Sequence, residues 1–320
     1  MQNFEEFKKK FGKRLLEGEM FIKHTTLGIG GPIKLYYEVR NEEDLVSCVK
    51  LAKKFKIPFV LIGSGSNLLV SDAGFKGLVI KNTLKGIKEN GGKINVRTGT
   101  LLWDLVEFTI DRGLVGMQKM IGIPGTIGGA IYGNAGAYGQ SISDCLLRIR
   151  IFDGNKIYWD SKKSCNFGYR NSIFKRKDWI LLEAEFKFNK GDKRKLLKES
   201  KEILTVRNKK YPKSLKCPGS FFQNIQASGL TQTQLKQIPK DKVVYDKIPA
   251  GYLLEEIDAK GQSEGKIKVA DNHGNLIINI GGGKAADFYK LVKELKSKVK
   301  NRFGIELEPE VQLLGFDKKL

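Results

Sequence analysis

The sequence predicts an α+β fold in three parts, carried by three features: a helix-then-strand opening around a loop of small residues, a long run of short strands, and a charged helix leading into a mixed final segment. In the first part, NEEDLVSCVKLAKKFK at 41–56 places Leu45, Val49, Ala52 and Phe55 at helical spacing, and Pro58 ends the helix. FVLIG at 59–63 is a short apolar strand, GSGSN a glycine-rich turn, and LLVSD a resumed apolar segment. From 76 to 190, GLVIKN, KINVRTG, LRIRIFD, KIYWD and WILLEAEFKF are strands rich in β-branched and aromatic residues. One helix, 101–113, interrupts them and is closed by Gly113. Residues 190–210 form a charged helix. Beyond it come AGYLLEEID, NLIIN at 275–279, a last helix at 284–304 and a terminal strand, IELEPEVQLLG. The expected boundaries are 1–75, 76–190 and 200–300, with 303–320 returning to the first part.

Composition narrows the function classes. The chain has 320 residues, 41% of them hydrophobic, enough for an ordinary core. No stretch approaches the roughly 18 apolar residues of a membrane span. The N-terminus mixes both charge signs and lacks the apolar core of a signal peptide. The expected protein is cytoplasmic. Cys48, Cys145, Cys165 and Cys217 are scattered, and His24 and His273 are the only histidines, so no metal site is expected and the thiols read as reduced. Lys and Arg number 57 against 35 Asp and Glu, a formal charge of +22. Such a charge raises nucleic-acid binding as an alternative. The basic residues recur along the whole length and form no arm or recognition helix. A lysine-rich enzyme surface that attracts anionic ligands is preferred, with no nucleic acid and no membrane as partner.

Two glycine clusters point to chemistry. GSGSN at 63–67 suits an anion, because small residues let backbone N–H groups approach it and serines add donors. It lacks the Walker and GxGxxG spacings, and a plain tight turn explains it as well. GIPGTIGGAIYGNAGAYG at 122–139 is more telling, with seven glycines among apolar residues. A flexible linker would alternate glycine with Ser, Thr or Lys, whereas close backbone approach to a large flat ligand calls for this pattern.

Together, GSGSNLLVSD and GIPGTIGGA-x-x-GNAGAYG resemble the FAD-binding signature of the UDP-N-acetylenolpyruvoylglucosamine reductase family. YRNSIFK at 169–175, GSFFQN at 219–224 and FGIELEPEV at 303–311 match that family in order, so the resemblance runs from about Thr25 to Leu314. It implies two FAD-binding subdomains of the vanillyl-alcohol-oxidase type and a smaller α+β substrate domain. FAD would contact Gly63, Ser64, Gly65, Ser66, Asn67 and Leu68 in the first cluster. In the second, it would contact Gly122, Ile123, Pro124, Gly125, Thr126, Gly128, Gly129, Asn134 and Gly136. NADPH would reduce the flavin, whose N5 would pass hydride to C3 of an enolpyruvyl UDP-sugar, the small-molecule partner of a monomeric enzyme.

The same resemblance implies site roles. Arg170 would set a permanent cation beside the enolpyruvyl carboxylate. Ser220 would protonate C2, with the nearby Cys217 as an alternative acid. Glu310 is the third catalytic position. Glu308 shares its face in a strand, and the family motif selects Glu310. Tyr169, Lys210, Asn224 and Glu256 would contact substrate, with Arg207 beside Lys210 meeting phosphates. The chain departs from the family pattern at KCPGS before Ser220, at Glu256 in place of glutamine, at Gln312 in place of arginine, and at Leu27–Gly28 after His24, Thr25 and Thr26. The direct run from YRNSIFK into a strand resembles the shorter branch, which lacks an extra loop with a substrate tyrosine and has a more open cleft.

Overall fold

The computed structural model describes residues 2–316 except 213, as two compact units. The first comprises Met1–Glu19, Ile33–Ser64 and Lys76–Tyr211, and so takes in most of both stretches on either side of residue 75. The second comprises Met20–Pro32, Gly65–Phe75 and Pro212–Leu320. Helices and strands mix in both, as the α+β expectation requires. None of the described helices is long and apolar enough to cross a membrane.

In the first unit, helix Glu42–Lys54 begins where the Asn41 side chain accepts from the Asp44 amide. Its spacing buries Leu45, Val49 and Ala52 with Tyr37, Leu78 and Ile80, which come from a four-stranded sheet. In that sheet Phe59–Ile62 runs parallel to Phe75–Asn82. A five-stranded antiparallel sheet follows, in the order Ile157–Ser161, Leu146–Phe152, Ile180–Lys187, Lys93–Arg97, Ile87–Asn90. Helix Leu102–Asp111 packs Leu105, Val106 and Ile110 into a core with Ile94, Val96 and Ala184. Gly113 follows it with φ 64°, a left-handed position that suits glycine.

In the second unit, helix Ala285–Phe303 buries Phe288, Leu291, Leu295 and Val299 against Phe221, Phe222, Leu254 and Ile277. Asp72, remote in sequence, caps it: its carboxylate accepts from the Ala285 and Ala286 amides at 2.8 and 2.9 Å. The terminal strand is shorter than expected. Only Gln312–Leu314 forms a ladder, parallel to Leu68–Val70. Upstream, the chain is extended and bridges to the GSFFQN segment at Phe222 and Pro309, the bonds coming from the flanking Gln223 and Glu310 amides.

Candidate functional site

Gly63, at the start of the first glycine cluster, meets the second cluster inside the first unit. Gly63 ends strand Phe59–Ile62, and a Cβ placed on it would collide with Thr126 Oγ1. Thr126 itself caps the short helix Ile127–Tyr132, accepting from the Gly129 amide. The first amides of that helix are committed to the turn that follows strand Lys93–Arg97: Ile127 N–H donates to Thr100 O and Gly128 N–H to Thr98 O, both at 2.8 Å. Gly128 therefore faces protein, where a Cβ would stand 3.2 Å from Thr98. Gly129 is exposed, and its nearest neighbour would be Thr126 Oγ1 at 3.7 Å. Adjacent glycines thus do different work.

Two cations rest on these loops through carbonyl groups. Lys81 Nζ donates to Gly63 O at 2.6 Å, and burial pushes its pKa down. Arg207 donates to Gly122 O at 3.1 Å, and burial lowers its pKa too. Its Nε is buried with no hydrogen-bond partner, and it forms no ion pair among the described residues. A half-desolvated guanidinium without a carboxylate favours an anion as its missing partner, whereas Lys81 also feels the charge of Glu38. Asn134 Oδ1 is likewise buried without a donor among the described residues. Lys81 gave no motif in the sequence, because an isolated lysine in a strand is unremarkable in a chain so rich in lysine.

The YRNS segment is fastened to the second cluster by three bonds. Arg170 donates to Gly136 O at 3.0 Å, Ser172 Oγ to Tyr132 O at 2.7 Å, and Asn134 Nδ2 to Gly168 O at 2.9 Å. Ser172 is fully buried. Tyr169 stacks beside its neighbour, with the Arg170 guanidinium 5.3 Å from its ring. Lys210 closes helix Lys193–Lys210, its Nζ 5.2 Å from the Tyr211 ring.

The second unit holds the remaining residues. The Glu310 amide donates to Phe221 O at 2.7 Å, and the Gln223 amide to Glu308 O at 2.9 Å, so Ser220 and Glu310 lie on neighbouring segments. Glu308 is exposed and Glu310 half-buried, which separates two residues that alternation alone leaves equivalent. Asn67 Nδ2 and Gln312 Nε2 both donate to Glu310 O, at 3.2 and 2.9 Å, and the Gln312 amide donates to Asn67 O. Gln312 therefore braces the Glu310 backbone. Asn275, 2% exposed, clamps Phe222 by exchanging two bonds with its backbone, both 2.8 Å. Gly65, at φ 68°, abuts the His24 carbonyl; Ser66 follows on the turn, and Leu68 begins the strand Leu68–Val70.

Of the substrate positions, Asn224 Oδ1 accepts from the Ala250 amide at 3.2 Å. Glu256 is exposed at the end of helix Ala250–Glu255. Cys217 is 9% exposed; its carbonyl accepts from Thr26 Oγ1, and burial pushes its thiol pKa up. Arg170 and Lys210 belong to the first unit, whereas Ser220, Asn224, Glu256 and Glu310 belong to the second.

Comparison with known proteins accounts for both units. A family described as "FAD binding domain" matches residues 33–156, and "UDP-N-acetylenolpyruvoylglucosamine reductase, C-terminal domain" matches 211–314. The UDP-N-acetylenolpyruvoylglucosamine reductase of Solibacter usitatus is 42% identical over 91% of this chain and 94% of its own. That of Bacillus subtilis is 30% identical over 97% of each. The crystal structure of the Thermus caldophilus reductase superposes with a TM-score of 0.73 at 28% identity, covering 92% of this chain and 97% of that one.

Proposed function

We propose, from the premise that the chain belongs to the UDP-N-acetylenolpyruvoylglucosamine reductase family and is an FAD-dependent oxidoreductase, that it uses NADPH to reduce the enolpyruvyl group of UDP-N-acetylglucosamine enolpyruvate to UDP-N-acetylmuramate. The observation that carries this reading is the bond from the Glu310 amide to Phe221 O, which sets a proton-bearing hydroxyl and a carboxylate on adjacent segments.

The residues present fit FAD. The exposed face of Gly129 leaves room for a flat group, Lys81 and Arg207 suit a pyrophosphate, and Asn134 Oδ1 offers a buried acceptor. The GSGSN turn and the 122–136 loop would hold the cofactor. When bound there, FAD would supply the hydride chemistry that couples NADPH oxidation to reduction at C3 of the enolpyruvyl group.

The chain supplies everything else. Arg170 holds the enolpyruvyl carboxylate and stabilises the charge that grows as C3 gains hydride. Ser220 Oγ–H gives its proton to C2, so the double bond becomes a single bond with one hydride and one proton added. Glu310, beside it, acts with Arg170 to polarise the intermediate or passes a proton onward. Tyr169, Lys210, Asn224 and Glu256 contact the UDP-sugar, with Lys210 meeting phosphate. Such an enzyme belongs to cytoplasmic cell-wall precursor synthesis. The test is product analysis: incubation with NADPH and the enolpyruvyl UDP-sugar should add two hydrogens to the sugar nucleotide, and an unchanged substrate would refute the reading.

A further inference from the structure

Arg170 occupies a backbone position that its side chain does not favour. Gly168 and Asn171 exchange bonds of 3.1 and 3.2 Å around a two-residue turn, with Tyr169 and Arg170 at its centre. Arg170, the second central residue, has φ 52°, while Tyr169 is not among the residues at positive φ. Turns of this shape ask for glycine or asparagine at that position, because a Cβ there is strained. Strain of this kind persists only where surrounding bonds over-determine the conformation.

Two side-chain bonds tie this turn to the 122–139 loop. Asn134 Nδ2 donates to Gly168 O, the carbonyl that opens the turn. Arg170 answers from the other side by donating to Gly136 O. Asn134 is itself left-handed, at φ 42°, a conformation asparagine tolerates. Two residues apart in one loop, Asn134 and Gly136 therefore grip the turn at its start and at its arginine.

We infer that Asn134 is a positioning residue: its amide donor fixes the turn that holds Arg170 strained and so aims the guanidinium at the substrate carboxylate. This rests on the role proposed for Arg170 above. Asn134→Asp keeps the side-chain acceptor and loses the donor, whereas Asn134→Gly removes the side chain without backbone strain.

The test separates the half-reactions by stopped-flow absorption on the holoenzyme. Each variant is first saturated with FAD, because Asn134 Oδ1 is also offered to the cofactor and Asn134→Gly should weaken flavin retention. In the flavin-loaded protein, reoxidation by the enolpyruvyl UDP-sugar should slow on the order of tenfold, clearly more than reduction by NADPH does. In an Arg170→Ala background, either substitution should add less than about twofold, because the group being aimed is gone. Arg170→Gly should raise the denaturation midpoint while losing reoxidation, since glycine relieves the strain. Full reoxidation in Arg170→Ala would overturn the reaction reading itself. Slow reoxidation there with normal reoxidation in both Asn134 variants would overturn only the positioning role. So would equal slowing of both halves in the flavin-loaded variants, or an effect that persists undiminished without Arg170.

Discussion

The amide of Glu310 donates to the carbonyl of Phe221 at 2.7 Å, which places the carboxylate segment one residue from Ser220. Ser220→Ala should leave flavin reduction by NADPH near the parent rate and slow reoxidation by the enolpyruvyl substrate about 10²–10⁴-fold, the usual worth of a general acid. Cys217→Ala is the control, and it should change neither rate by more than a few-fold. Burial raises the Cys217 thiol pKa, which makes it a poorer proton donor than an exposed thiol, and the residue's carbonyl already serves Thr26. Stopped-flow traces of the two half-reactions check this. A selective loss in Cys217→Ala with little effect in Ser220→Ala would move the acid to the cysteine.

Neighbouring glycines should respond differently to the same change. Gly128→Val drives a branched side chain into Thr98, so it should lower thermal stability whether or not flavin is bound. Gly129→Val meets open space on the protein side, so the apoprotein should keep its stability while flavin retention falls. Melting curves of apo and reconstituted protein, with released flavin measured by absorbance, distinguish the two. Equal apoprotein losses would show that both glycines serve packing alone.

Acid should reveal Glu185. It is 4% exposed and accepts two bonds from Arg148, both 2.9 Å, with Lys93 at 3.3 Å. The Arg148 bonds hold its carboxyl below the usual carboxylate range, against the opposing pull of burial. A depressed carboxylate adds stability above its unfolded pKa and loses it as pH falls through the folded value. Glu185→Gln should therefore flatten the decline in stability below about pH 5, by on the order of 1 kcal/mol, because water screens the half-exposed Arg148. Urea midpoints measured across pH 3–7, as a rough working range, check the slope. A parallel decline in both proteins would remove Glu185 from the account.

Much of this was open to reading in the sequence, for identifiable reasons. Helix Glu42–Lys54 is amphipathic and carries its own cap at Asn41, and the glycines of 122–139 are too dense for a linker. The pairing of GSFFQN with LEPEV was hidden, because nothing local tells Glu310 to seek Phe221 across nearly ninety residues. Gln312 could not be interpreted in sequence, since its role depends on folding back onto the Glu310 carbonyl. Asn275 and Lys81 carry no signal in sequence for a related reason: one lies in a turn before strand Ile277–Asn279 and the other singly inside an apolar strand, and neither position has a period. The terminal strand is shorter than the alternation of Ile305, Leu307 and Val311 suggests: all three are buried, yet the terminal ladder begins only at Gln312, because period-two burial does not by itself require pairing.

The most direct test of the account follows the flavin band of the purified holoenzyme under anaerobic conditions. NADPH should bleach the long-wavelength absorption, and addition of the enolpyruvyl UDP-sugar should restore it stoichiometrically, with UDP-N-acetylmuramate formed in equal amount. A protein that binds no flavin, or whose reduced flavin is reoxidised by oxygen but not by that substrate, would contradict it.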